Sequence, residues 1–131
     1  MDLELTSGAL ATLLEEATKA HPRECCGLLL GQGARIDGAL PATNVHPDPE
    51  WHFEIDPAAL IAAHRAARAG GPQVLGYYHS HPNGRIEPSE EDIAMAERAG
   101  RFWAIIANRS VLFWRDGADG FTALSSRVVD G

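Results

Sequence analysis

The chain has 131 residues, 45% of them hydrophobic and 22% charged, a composition that excludes a disordered polymer and leaves room for one domain, residues 1–131, around one core. Eighteen acids against eleven bases give a net charge of −7, which speaks against a nucleic-acid binder, because phosphate contacts need a basic face. No apolar run reaches the roughly 20 residues of a membrane span. The start, Met1-Asp2-Leu3-Glu4, lacks the pattern of a signal peptide. The only two cysteines, Cys25 and Cys26, are adjacent and poorly placed to staple a fold, so the expected setting is reducing and cytoplasmic.

Ser7 is a plausible N-cap, and Leu10, Leu13, Leu14 and Ala17 recur at helical spacing behind it. Pro22 ends that helix by disfavouring helical geometry at His21. Cys25 to Leu30 reads as a buried strand, Gly31-Gln32-Gly33 as a turn, and Arg35 to Leu40 as the hairpin partner. Pro41 to Trp51 holds three prolines and reads as a loop, with a short strand at Phe53 to Ile55. Asp56-Pro57 is an N-cap with proline at the first helical position, opening a helix that stops at Gly70-Gly71-Pro72. Val74 to Ser80 is a strand, Pro82 to Pro88 a loop, and Ser89 opens a third helix expected to end near Gly100. Phe102 to Ala107, Val111 to Arg115 and Phe121 to Leu124 read as three strands. The order α-β-β-β-α-β-α-β-β-β suggests a mixed sheet with helices packed on it.

The chemistry is concentrated in Tyr78-His79-Ser80-His81-Pro82 and Ser89-Glu90-Glu91-Asp92. Residues two apart on a strand face one side, so His79 and His81 project together, about 6.6 Å apart along the chain. They can converge on one ion, and Asp92, in the first turn of the following helix, can fold back as a third ligand. Two histidines, one aspartate and an open position make a catalytic rather than a structural zinc pattern. Each half is weak alone: His-x-His is usually two polar residues on one strand face, and Ser-x-x-Asp is close to an ordinary capping box. Together, His-x-His-x7-Ser-x2-Asp should arise by chance in roughly one such chain per thousand. A zinc hydrolase also needs a base. Ten glutamates are available, and spacing cannot choose among them, although Glu24 stands at the edge of the strand that begins at Cys25.

Pro22-Arg23-Glu24-Cys25-Cys26-Gly27-Leu28-Leu29-Leu30-Gly31, Gly76-Tyr77-Tyr78-His79-Ser80-His81-Pro82 and Ser89-x-x-Asp92 together resemble the JAMM (MPN+, Mov34/PAD-1) metalloprotease family over nearly the whole chain. The resemblance implies a cytidine deaminase-like α/β (α+β) fold, a curved mixed sheet flanked by helices. It implies that His79, His81 and Asp92 hold one Zn2+ with water as fourth ligand, that Glu24 is the general acid/base, and that Ser89 hydrogen-bonds the oxyanion. Ser80 points to the other strand face and reads as structural. Compact members of this type resemble peptidases that cut after the C-terminal Gly-Gly of ubiquitin-like sulfur-carrier proteins, and such a carrier is the expected partner; no nucleic acid or membrane partner is expected.

Two other classes remain open at this stage, a DNA-repair-associated JAMM domain and a non-catalytic scaffold. The edges of the last strands could pair in a homodimer. At least one of Cys25 and Cys26 is expected in the core, and Trp51, Trp103 and Trp114 read most simply as core or sheet-face aromatics, with substrate contact a lesser alternative for Trp51. His21, His46, His52 and His64 read as surface or capping residues.

Overall fold

The computed structural model describes residues 3–131. One eight-stranded mixed sheet organises them: β1 (Leu3–Thr6), β2 (Cys26–Gln32), β3 (Arg35–Ala42), β4 (Gln73–Ser80), β5 (Arg101–Ala107), β6 (Ser110–Gly117), β7 (Gly120–Leu124) and β8 (Ser126–Val129), in the order β7-β6-β5-β4-β2-β3-β1-β8. Helix α1 (Ser7–Ala20) lies on one side and α2 (Pro57–Arg68) on the other, while α3 (Glu90–Met95) belongs to the connection from β4 to its parallel neighbour β5. This is the mixed sheet flanked by helices that the sequence implied.

Alternation along the central strands separates two apolar clusters. Leu13 of α1 packs with Cys25, Leu29, Tyr78, Ala104 and Ile106, whereas Ala63 of α2 packs with Cys26, Leu28, Phe53, Ile55 and Trp103. Side chains of adjacent strand residues point to opposite faces, so Cys25 and Cys26 fall into different clusters. His79 lies on the α2 side with Trp103 and Phe53, and Ser80 on the opposite face, where its Oγ accepts the Cys25 N–H at 2.8 Å.

The helix starts follow local chemistry. Asp56 accepts the Ala58 N–H at 3.0 Å, and Pro57 occupies the first turn, where a missing donor costs nothing. For α1 the cap is Thr6, one residue before the expected Ser7, accepting the Ala9 N–H at 3.2 Å. Such a cap contributes about 1 kcal/mol.

Several expectations need correction. Strands β1 and β8 were not foreseen, because each is four residues long and is held by parallel pairing to a chain segment remote in sequence. Phe53–Ile55 forms only an isolated bridge, Ile55 to Asn44. Helix α3 stops at Met95 rather than near Gly100: Ala96 is extended, and Arg98 (φ 57°) and Gly100 (φ 81°) adopt left-handed geometry to turn the chain into β5.

Gly76 explains how β4 can sit so close to β5. A Cβ there would lie 1.7 Å from the Phe102 carbonyl oxygen, a backbone atom that cannot step aside. Gly76→Ala is therefore expected to destabilise the fold by about 1–3 kcal/mol or more, seen as a lower urea midpoint with unchanged slope.

Candidate metal centre

His79 is the penultimate residue of β4, and His81 follows its end with its N–H bonded to the Ile106 carbonyl at 2.9 Å. Their Nε2 atoms lie 3.0 Å apart. Asp92 reaches back from the first turn of α3 and sets Oδ2 at 3.1 Å from His79 Nε2 and 3.2 Å from His81 Nε2. All three residues are buried. Ligands around a tetrahedral zinc with bonds of about 2.0–2.1 Å stand about 3.3 Å apart, so these three atoms form one face of such a site to within a few tenths of an ångström.

The protonation pattern supports a cation there. His81 Nδ1 lies 2.7 Å from the Arg85 carbonyl oxygen, which only accepts, so Nδ1 carries the proton and Nε2 turns its lone pair toward His79 and Asp92. A second anchoring acts on Asp92: the Ser89 N–H donates to Oδ2 at 2.9 Å, and the Asp92 N–H donates to Ser89 Oγ at 3.0 Å, a reciprocal capping box. The capping and ligand readings of Ser89-x-x-Asp92 are thus compatible. Burial alone would raise the Asp92 carboxyl, but the adjoining His79 and His81 imidazoles, where either carries a proton on Nε2, and the Ser89 N–H outweigh it and hold the group low. For His79 burial dominates and keeps the ring neutral, the form that ligates metals.

Glu24, just before β2, is a further buried carboxylate beside these three. Its carboxylate lies within 4.8 Å of donor nitrogens of His79 and His81, farther out than Asp92. Burial pushes its carboxyl up to about 7, the range in which a carboxylate can both take and return a proton. Ser89 is exposed and, with Glu24, Trp51, His52, His81 and Asp92, lines a cleft of about 480 Å3. The structure therefore brings together all five residues singled out from the sequence.

It also shows what sequence reading missed. Phe53 stacks on the His79 ring at 4.3 Å between centroids, and Trp103 meets that ring edge-on at 5.7 Å, so two aromatic neighbours hold the ring in place. His52 Nδ1 pairs with the Glu91 carboxylate, joining the loop after β3 to α3 beside Asp92. His46, His52 and Glu91 also approach one another within 4.8 Å. There, however, His46 Nδ1 accepts the Asp48 N–H at 2.9 Å, which places the ring proton on Nε2. No composition or period signals these loop contacts.

The family described as prokaryotic homologs of the JAB domain matches residues 6–117. The chain belongs to this family. Among JAB-domain relatives it is 38% identical to a protein of Thermus thermophilus named "Probable TtuB-protein conjugate cleaving protease", over 83% of this chain and 70% of that one. It is 32% identical to a "Desampylase" of Haloferax volcanii, over 79% of this chain and 78% of the relative. A solution structure of a protein from Desulfitobacterium hafniense superposes with a TM-score of 0.85 at 28% identity, over 98% of this chain and 94% of that one. No helix among the described residues of this JAB domain is long and apolar enough to cross a membrane.

Two predictions follow from the geometry. Protein purified without chelator should carry about one zinc per chain by inductively coupled plasma mass spectrometry, and both His79→Ala and Asp92→Ala should lose it. Burial pushes the Cys25 thiol up to about 11 and the Cys26 thiol to about 12, so neither should react with iodoacetamide at pH 8 in the folded protein. Both should react in denaturant, where the thiols return to about 8.5.

Proposed function

We propose that this JAB domain is a zinc-dependent metallopeptidase that hydrolyses the peptide or isopeptide bond after the C-terminal Gly-Gly of a ubiquitin-like or sulfur-carrier protein. The observation that carries this reading is the convergence of His79, His81 and Asp92 on one point, with the buried Glu24 carboxylate beside them. His79, His81 and Asp92 would hold the zinc, which when bound supplies Lewis-acid polarisation and a more acidic water.

Glu24 is the proton carrier. As a carboxylate it accepts a proton from the attacking water, and as a carboxylic acid it returns that proton to the nitrogen of the leaving amine. Its partly desolvated surroundings bring the two forms close in energy at neutral pH, which suits both halves of the cycle. Ser89 Oγ already accepts the Asp92 N–H, which leaves its O–H free to donate toward the cleft and to stabilise a developing oxyanion. Asp92 is thereby tied to the residue that meets the substrate.

The lining of the cleft and the names of the relatives support this substrate class. Trp51, His52 and Pro88 line the cleft alongside the catalytic groups, and a tail of two glycines, lacking side chains, suits an extended path close to them. The named relatives, a "Probable TtuB-protein conjugate cleaving protease" and a "Desampylase", support a reading in which a protein conjugate is cleaved. Two free cysteines, Cys25 and Cys26, suit work in the cytoplasm, and residues 1–131 act as a single domain.

The test is turnover of a ubiquitin-like carrier whose C-terminal Gly-Gly is joined to an aminocoumarin. Glu24→Gln should retain zinc and lose about 10²–10⁴-fold in kcat, the usual contribution of a positioned acid/base. Full activity in Glu24→Gln would remove the proposed mechanism; absence of cleavage by the zinc-loaded native protein on every Gly-Gly carrier tried would remove the substrate class.

A further inference from the structure

The loop between β3 and α2 walls the cleft, yet it has little regular structure of its own. Backbone hydrogen bonds such as Val45 N–H to the Glu54 carbonyl at 2.9 Å contribute to its order, and one side chain ties several of its segments together. Asn44 Nδ2 donates to the Glu24 carbonyl oxygen and to the His52 carbonyl oxygen, both at 3.0 Å. Asn44 Oδ1 accepts the His46 and Glu54 N–H groups, both at 3.1 Å. An amide has two donors and an acceptor oxygen with two lone pairs, so its whole capacity is spent on backbone groups. Two of those bonds close the loop across its neck, and one crosses to the main chain of Glu24.

The consequences run directly to the site. The Glu24 N–H is bonded to the Pro49 carbonyl at 2.7 Å, so both peptide groups of this residue are held by the same loop. The next residue is locked to β4, where Cys25 N–H meets Ser80 Oγ at 2.8 Å and the Ser80 N–H meets the Cys25 carbonyl at 3.1 Å. Among the described residues, the hydrogen bonds of Glu24 are made by its main chain, so the position of its carboxylate is inherited from that main chain. The same loop presents Phe53 to the His79 ring and Trp51 and His52 to the cleft.

We propose that Asn44 is a positioning residue for the reaction: its side-chain amide fixes the Glu24 main chain against the cleft wall and so sets the distance from the Glu24 carboxylate to the reacting water. The inference rests on the reading of Glu24 as proton carrier. It predicts a specific division of effects, because the three metal-binding side chains belong to the end of β4 and to α3 and share no hydrogen bond with Asn44. Small misplacement of a catalytic group can cost on the order of 10²-fold in rate without altering affinity.

The experiment compares Asn44→Ala and the isosteric Asn44→Asp, which keeps the acceptor and loses both donors, with native enzyme on the Gly-Gly-aminocoumarin carrier. Both variants should keep about one zinc per chain, lose about 10- to 100-fold in kcat, and change KM by less than about threefold. In a Glu24→Gln background, Asn44→Ala should lower the residual rate no further, since the group it positions is already gone. Hydrogen exchange gives a readout independent of turnover: the Glu24, His46 and Glu54 amides should exchange faster in Asn44→Ala, while Tyr78 in β4 should not. Native-like kcat in either zinc-loaded variant would overturn the proposal, as would an equal fold-loss in the Glu24→Gln background or loss of zinc. If Asn44→Ala does not fold, Asn44→Asp carries the same comparisons. Full activity of Glu24→Gln alone would instead refute the proton-carrier reading, so the two failures are distinguishable.

Discussion

Two imidazole nitrogens and a carboxylate oxygen lie within 3.2 Å of one another in a buried position, and the rest of the molecule is arranged around that constraint. Lone pairs at such separations repel unless a cation or shared protons lie between them, and burial removes the water that would otherwise screen them. The surrounding structure holds the groups in place against this. Phe53 and Trp103 fix one ring, the Arg85 carbonyl fixes the tautomer of the other, and the helix cap fixes the carboxylate. These are the outer contacts by which proteins tune metal sites, here supplied by a stacked aromatic, a loop carbonyl and an N-terminal cap.

Sheet topology places this cluster. Strand β4 sits between antiparallel β2 and parallel β5, near the middle of the sheet and covered on both faces. A parallel β4–β5 pair requires a crossover connection, and that connection carries both the Arg85 carbonyl and α3 with Asp92. The histidines therefore end a strand whose continuation must arch back over them. Glu24 comes in from the neighbouring β2 because Cys26 pairs with His79, which puts the residue two before Cys26 at the same end of the sheet.

Much of this was legible in the linear sequence. His79, His81, Ser89 and Asp92 are close enough along the chain for strand alternation and a capped helix to bring them together. The clear helix starts at Thr6-Ser7 and Asp56-Pro57 and the buried run of β2 were also local signals. Strands β1 and β8 were not legible, since four-residue segments have no period to read and exist only by pairing with each other and with β3. The early end of α3 depends on where the chain must rejoin the sheet, which no propensity of Glu97 or Arg98 announces.

The sequence by itself determined the candidate donor set, its spacing and the class of fold, because these depend on residue types a few positions apart and on the periods of strand and helix. From the residues alone it could not choose among ten glutamates; only the resemblance singled out Glu24, and the tertiary structure shows that it is the buried one, close to the histidines. Tertiary structure also decided that Asn44 ties Glu24 to the cleft wall. Those outcomes depend on desolvation and on contacts between segments 20 or more residues apart, such as Asn44 with Glu24. Such contacts leave no mark in the local pattern, because hydrogen bonds to main-chain groups depend on where the partner's backbone runs and not on its side chain.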